Sequence, residues 1–221
     1  MSDSVNISLE NLRRDYHANT LRREDLAPEP LHQFKKWFEA ALEAKIREPN
    51  AMTLATIGLD GCPTARTVLM KDYADDGVTF FTNYESRKGR ELAETPFASL
   101  LFYWKELERQ VHIRGKVEKI SPEDSSRYFQ SRPYKSRIGA WASKQSAEIP
   151  DRGWLDERVD RFEKKFPDSG SEESVPRPDF WGGYLLIPES VEFWQGQPGR
   201  KHDRFIYRRD GGNWCSCRLS P

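Results

Sequence analysis

With 221 residues and 37% hydrophobic content, the chain is long enough to bury a core and short enough to form one globular unit. Lys+Arg and Asp+Glu both number 35, so no whole-chain field draws it to nucleic acid or to a membrane surface, and any basic site has to be local. The longest nearly continuous apolar run, Phe97 to Trp104, is far too short for a membrane-spanning helix, and Met1-Ser2-Asp3-Ser4 opens no apolar leader. The cysteines are odd in number, and one residue between Cys215 and Cys217 would strain a disulfide, so a reduced, cytoplasmic chain is expected.

Residues 1–29 are polar and carry Arg13/Arg14 and Arg22/Arg23, the pattern of an extended arm that is either disordered or ordered only on docking. Pro30 can start a helix, and Leu31, Phe34, Trp37, Phe38, Ala41 and Leu42 recur at helical spacing until Pro49. The period then changes. Ala51 to Ile57 and Thr64 to Met70 read as strands around Asp60-Gly61, and Val78 to Thr82 follows the turn at Asp76-Gly77. Phe97 to Trp104 and Gln110 to Ile120 add two more. Ser121, Pro122 and Asp124 open a helix through Gln130 that stops before Pro133, and a further helix is expected over Gly153 to Phe166. The polar stretch from Pro167 to Pro178 reads as a loop. Short strands follow at Tyr184 to Ile187, Val191 to Gln195, Arg204 to Arg208 and Trp214 to Leu219, the last pair joined by a turn at Asp210-Gly211-Gly212-Asn213. Many short strands with helices at their ends imply an antiparallel β-barrel with α additions, mainly β, rather than alternating βαβ units.

Local chemistry concentrates in a few places. Ser86 is positioned to cap a helix whose first turn holds Arg87 and Lys88; cations there oppose the helix dipole, which suits either a bound anion or a solvated basic turn. Arg66 and Lys71, five apart on a strand, point to opposite faces unless a bulge re-aims one. Tyr128, Arg132 and Ser136 offer a phenol, a guanidinium and a hydroxyl suited to phosphate oxygens, or else decorate a helix surface. The densest set is Glu192 to Gly196 followed by Arg200, Lys201, His202, Asp203 and Arg204, where His202 fits an acid–base role or a structural one. Metal-ligand spacing, a Walker loop, a Gly-x-Gly-x-x-Gly turn and a nucleophile elbow are all missing from the sequence. Stacking of the seven Trp on single-stranded nucleic acid is disfavoured by the interspersed acids.

Ordered along the chain, Leu12-Arg13-Arg14-Asp15-Tyr16, Arg66 to Lys71, Ser86-Arg87-Lys88, Glu108-Arg109-Gln110-Val111, Tyr128 to Pro133, Ser143 to Ser146, Phe180 to Gly183, Glu192 to Gly196 and Arg200-x-His202-Asp203-Arg204 resemble the pyridoxine (pyridoxamine) 5′-phosphate oxidase family over nearly the whole length. The resemblance implies an FMN-binding split β-barrel, homodimeric, with each site built from both chains. A flexible arm over 1–29 would precede a domain over 30–221 that includes the C-terminal dimerisation region. By position it implies Arg66, Thr67, Val68, Leu69, Met70, Lys71, Phe81, Thr82, Arg87, Lys88, Gln110, Gln145, Ser146, Trp194 and Arg204 as FMN contacts. It places Lys71, Tyr128, Arg132 and Ser136 at the substrate phosphate, Arg200 and His202 at the reacting ring as the catalytic pair that orients the substrate and assists its proton loss, with Lys201 beside them, and Arg13, Arg14, Asp15 and Tyr16 in a segment closing over the substrate. The implied activity is oxidation of pyridoxine 5′-phosphate and pyridoxamine 5′-phosphate to pyridoxal 5′-phosphate, with O2 reduced to hydrogen peroxide and ammonia released from the amine. A non-catalytic FMN- or pyridoxal-phosphate-binding protein is the other reading. Three positions depart from the family pattern: Lys201, expected to lower the pKa of His202, Arg137, and the Cys215-Ser216-Cys217 tail.

Overall fold

The computed structural model describes Tyr16, residues 20–170 and residues 174–221. Helix α1 (Pro30–Glu43) forms where the pattern predicts: Pro30 supplies a pre-set φ at the first position, and Leu31, Phe34, Trp37 and Ala41 bury one face. That face lies on a sheet, Phe34 5.0 Å from Phe102 and Trp37 edge-on at 5.2 Å from Phe193, centroid to centroid.

The sheet is antiparallel throughout and curls into a half-barrel. Its main path runs β2 (Pro63–Leu69), β1 (Ala51–Ile57), β5 (Phe97–Trp104), β6 (Arg109–Lys119), β7 (Trp181–Gln195), β4 (Gly77–Asn83) and β3 (Asp72–Ala74). β8 (Asp203–Asp210) pairs with β7, and β9 (Asn213–Leu219) with β8. The expected turn between these last two has positive φ at Gly211 and Gly212, the conformation that matches a two-residue turn to strand twist.

Two strands expected before and after Pro188 are one strand of 15 residues. Proline does not break it because the ladder shifts between Arg114 and Gly115, leaving Pro188 opposite Gly115 where its missing N–H costs no regular bond. A Cβ on Gly115 would sit 1.8 Å from the Ile187 carbonyl oxygen, so the bulge requires glycine there.

Helix α2 (Arg87–Glu94) is capped by Ser86, whose Oγ accepts the Gly89 N–H at 3.2 Å. α3 (Pro122–Gln130) ends as expected, but the chain then enters a helix the sequence pattern did not predict, α4 (Tyr134–Ala142). Pro133 stops the first and stands as N-cap of the second. α5 (Arg152–Lys165) lays Val159, Phe162 and the following Phe166 on a second core around Phe129, Ile138, Val175 and Trp181. The segment leading to α1 is anchored at two buried residues, Leu21 and Ala27: the Leu21 N–H donates to Asp203 Oδ2 at 3.0 Å, and the Tyr207 hydroxyl donates to the Ala27 carbonyl at 2.7 Å.

Candidate active site

A cavity of about 670 Å³ opens between β2, β4, α2 and the α3–α4 corner. Arg66 and Lys71 both line it, although their spacing predicts opposite faces. The strand ends between them: β2 stops at Leu69, the Met70 N–H donates to Asn50, and the Lys71 N–H donates to Thr79 of β4, so the chain changes partner and re-aims Lys71. Thr67, Val68 and Leu69 share the wall, while the Met70 side chain is buried in the core.

Lys88, on the first turn of α2, is only 9% exposed. Its ammonium donates to Thr82 Oγ1 at 3.3 Å and Gln145 Oε1 at 3.4 Å, both neutral. Burial and the nearby Arg66 charge push its pKa down. Two cations held together with mainly neutral partners on the cavity side form a receptor for an anion.

A second group lies along the same cavity. Tyr128 stacks on Phe81 at 3.9 Å, Phe81 on Trp181 at 5.4 Å, and the Arg132 guanidinium lies 4.6 Å over the Trp181 ring. Arg132 Nη1 is buried without a hydrogen-bond partner among the described residues. Leaving such a donor unmet costs about 1–3 kcal/mol, which an incoming phosphate or carboxylate oxygen would recover. Ser136, on the first turn of α4, completes the group.

The C-terminal residues line a different cavity, about 490 Å³, with Gln110, Trp194 and Arg204 on its wall. Glu192 Oε1 accepts from Arg204 Nε at 2.8 Å and fixes that guanidinium. His202 sits 4.6 Å from the Trp194 ring and 5.4 Å from Tyr16, which also covers Gly196, where a Cβ would approach within 2.7 Å of the phenol ring. His202 Nδ1 accepts the Gln197 N–H at 3.1 Å, so the neutral ring carries its proton on Nε2. Burial first, then Arg200 and Arg204, hold its pKa below the ordinary value. Lys201 is exposed and is not among those causes, which corrects the expectation drawn from its sequence position.

The structure therefore brings Arg66 to Leu69, Lys71, Phe81, Thr82, Lys88, Gln145, Tyr128, Arg132 and Ser136 to one cavity and puts Gln110, Trp194 and Arg204 at another. Arg87 is off the first wall, its side chain 59% exposed and its Nε on Glu91 Oε1 at 3.0 Å. Ser146 is exposed with φ 70°, and Arg200 is exposed with φ 61°. Arg13, Arg14 and Asp15 lie outside the described residues. Arg137 is buried, its Nη1 donating to Gln130 Oε1 at 3.0 Å. Sequence reasoning missed Glu91 and Glu192 as partners of site arginines; the i,i+4 spacing of Arg87 and Glu91 was the one local signal for the first.

The curled antiparallel half-barrel carries, in this cavity, clustered cations beside stacked aromatics, the chemistry that suits an anionic, ring-bearing small molecule. The chain belongs to the pyridoxamine 5′-phosphate oxidase family: that family's profile matches residues 38–166, and the pyridoxine 5′-phosphate oxidase C-terminal dimerisation region matches residues 181–221. It is 54% identical over 214 residues to a pyridoxine/pyridoxamine 5′-phosphate oxidase of Cupriavidus necator, covering 96% of this chain and 99% of that one. A Cyanothece oxidase of the same description is 52% identical over 217 residues, covering 98% and 100%. Among solved structures, PhzG from Burkholderia lata 383, in complex with tetrahydrophenazine-1-carboxylic acid, superposes with a TM-score of 0.84 at 34% identity over 92% of this chain and 99% of that one. A Nostoc punctiforme FMN-binding protein related to pyridoxamine 5′-phosphate oxidase shares the fold at TM-score 0.67 and 20% identity, over 89% of this chain and 99% of that one.

Proposed function

We propose that the protein is an FMN-dependent oxidase that converts pyridoxine 5′-phosphate and pyridoxamine 5′-phosphate to pyridoxal 5′-phosphate, acting as a homodimer. The observation that carries this is the pair of separate anion-binding groups in one cavity, Arg66 with Lys88 and Thr82, and Arg132 with Tyr128, Ser136 and Lys71. Two phosphates, one on the cofactor and one on the substrate, account for both. The exposed Ile57 and Phe97, on neighbouring strands β1 and β5, suit a surface covered by a second copy.

Bound FMN would supply the acceptor for the hydride leaving C4′, with O2 restoring the oxidised flavin and yielding hydrogen peroxide. The protein's share is binding and orientation. Arg66, Lys88 and Thr82 would hold the cofactor phosphate, and Arg132, with its orphaned Nη1, the substrate phosphate. His202, protonated on Nε2 because Nδ1 is occupied, would donate to a substrate oxygen and hold the ring rather than take a proton in this tautomer. Arg200 stands two residues away to share that role.

The likeness to PhzG favours a second reading, oxidation of a ring carboxylic acid without a phosphate. Anaerobic mixing of the flavin-loaded protein with pyridoxine 5′-phosphate, with unphosphorylated pyridoxine and with a dihydroaromatic carboxylic acid separates the readings. Flavin bleaching and, in air, peroxide are expected with the phosphate ester alone. Bleaching by the ring acid but not the ester would transfer the assignment to the second reading, and binding without bleaching would make the protein a carrier.

A further inference from the structure

Glu91 is the most enclosed charge near the cavity, 1% exposed, yet it lies on no cavity wall. Its Oε2 accepts from Thr56 Oγ1 at 2.5 Å, Thr64 Oγ1 at 2.8 Å and Arg66 Nη2 at 2.8 Å. Its Oε1 accepts from Arg87 Nε at 3.0 Å. The two threonines close on the same guanidinium: Arg66 Nη1 donates to Thr56 Oγ1 at 2.5 Å and Nη2 to Thr64 Oγ1 at 2.7 Å. Burial pushes the Glu91 pKa up, but the three hydrogen bonds and the Arg66 charge outweigh it and hold the group below the ordinary carboxylate value, so it is ionised at neutral pH.

A buried carboxylate with four donors could serve only to tie α2 to the β1–β2 hairpin. The geometry is more particular than that. Threonines alone would tie the hairpin, whereas here both terminal nitrogens of Arg66 are engaged behind the cavity wall and the side chain is held in one pose. A free arginine loses rotamer freedom when it grips a ligand, and a prefixed one has already lost it. The Lys88 pKa is lowered first by burial and then by repulsion from Arg66, and the Glu91 charge offsets part of that lowering.

We propose that Glu91 is a positioning residue for the cofactor phosphate, presetting Arg66 so that it and Lys88 meet the anion without rearrangement. This rests on the reading of the cavity as an FMN site. Its action runs wholly through the phosphate, so it separates FMN from riboflavin, which has the same ring system and no phosphate.

The test is flavin titration of the full chain stripped of flavin, followed by fluorescence quenching, for wild type and Glu91→Gln. Glutamine keeps the shape and removes the charge. FMN affinity is expected to fall 10- to 100-fold, the range for loss of a group that orients a ligand-binding side chain, with riboflavin affinity unchanged within about twofold by the same reasoning. Equal loss for both flavins would reduce Glu91 to a scaffold, and unchanged FMN affinity would overturn the proposal outright. If Glu91→Gln does not fold, Thr64→Val, which removes one hydrogen bond from both Glu91 and Arg66, is expected to give a smaller loss of the same selectivity; an equal loss for both flavins overturns the proposal here too. Wild type that binds riboflavin as well as FMN would instead sink the FMN-site reading itself.

Discussion

His202 shows how a single residue's role follows from its hydrogen bonds. The sequence leaves it open between acid–base work and structure, because a histidine beside arginines fits both. The Gln197 N–H on Nδ1 decides the tautomer, and Trp194 and Tyr16 fix the ring plane. Its pKa lies below 6.5, through burial first and then Arg200 and Arg204. The folded state thus binds this proton less tightly than the unfolded chain, so the stability His202 contributes is present above about 6.5 and is lost as pH falls through the lower folded value. Titration by NMR is expected to show the His202 pKa rising in Arg200→Ala and unchanged in Lys201→Leu; a rise in the lysine variant as large as that in the arginine variant would contradict the assignment of causes. Lys201 was legible only as a departure from the family pattern; it is exposed and stands outside the causes that lower the His202 pKa, which are burial, Arg200 and Arg204. Glu91 was illegible for a different reason: three of its four donors come from β1 and β2, at least 25 residues away.

Among the elements, those with strong periodicity or punctuation were readable: the α1 stripe, the Ser86 and Ser121 caps, and the Asp60-Gly61 and Gly211-Gly212 turns. α4 was not, because Pro133 reads as a stop while its second use as an N-cap depends on the corner it turns. β7 was read as two strands because proline is foreign to a strand interior, and only its partner reveals that Pro188 faces a bulge. That pairing makes a demand on Gly115. Gly115→Ala must move the Ile187 carbonyl, which belongs to backbone and cannot swing aside. A loss at or beyond the ~3 kcal/mol upper end of ordinary substitutions is expected in urea denaturation. A loss under about 1 kcal/mol would mean that the bulge relaxes at little cost.

At the scale of the whole molecule, the expected contacts divide between two cavities of one chain, Lys88 and Arg66 in the first, Gln110, Trp194 and Arg204 in the second. A site assembled across a two-fold axis would join the first cavity of one protomer to the second of its partner. Mixing Lys88→Ala with Arg204→Ala chains, each nearly inactive alone, then regenerates one intact site per mixed dimer. Random reassortment gives about a quarter of wild-type activity, since half the dimers are mixed and each holds one good site of two. Recovery no greater than the sum of the two parents would place all the groups of a site in one chain.

The position of β7 has a consequence for how the chain is made. It lies between β6 and β4, so the strand that fills the middle of the sheet is supplied more than 60 residues after the edges it joins. During synthesis β4 and β6 emerge with open edges and wait for Trp181–Gln195 to leave the ribosome. The segment matched by the family's first profile, 38–166, therefore cannot close its own sheet, and completing the fold is a late, long-range event rather than a progressive one.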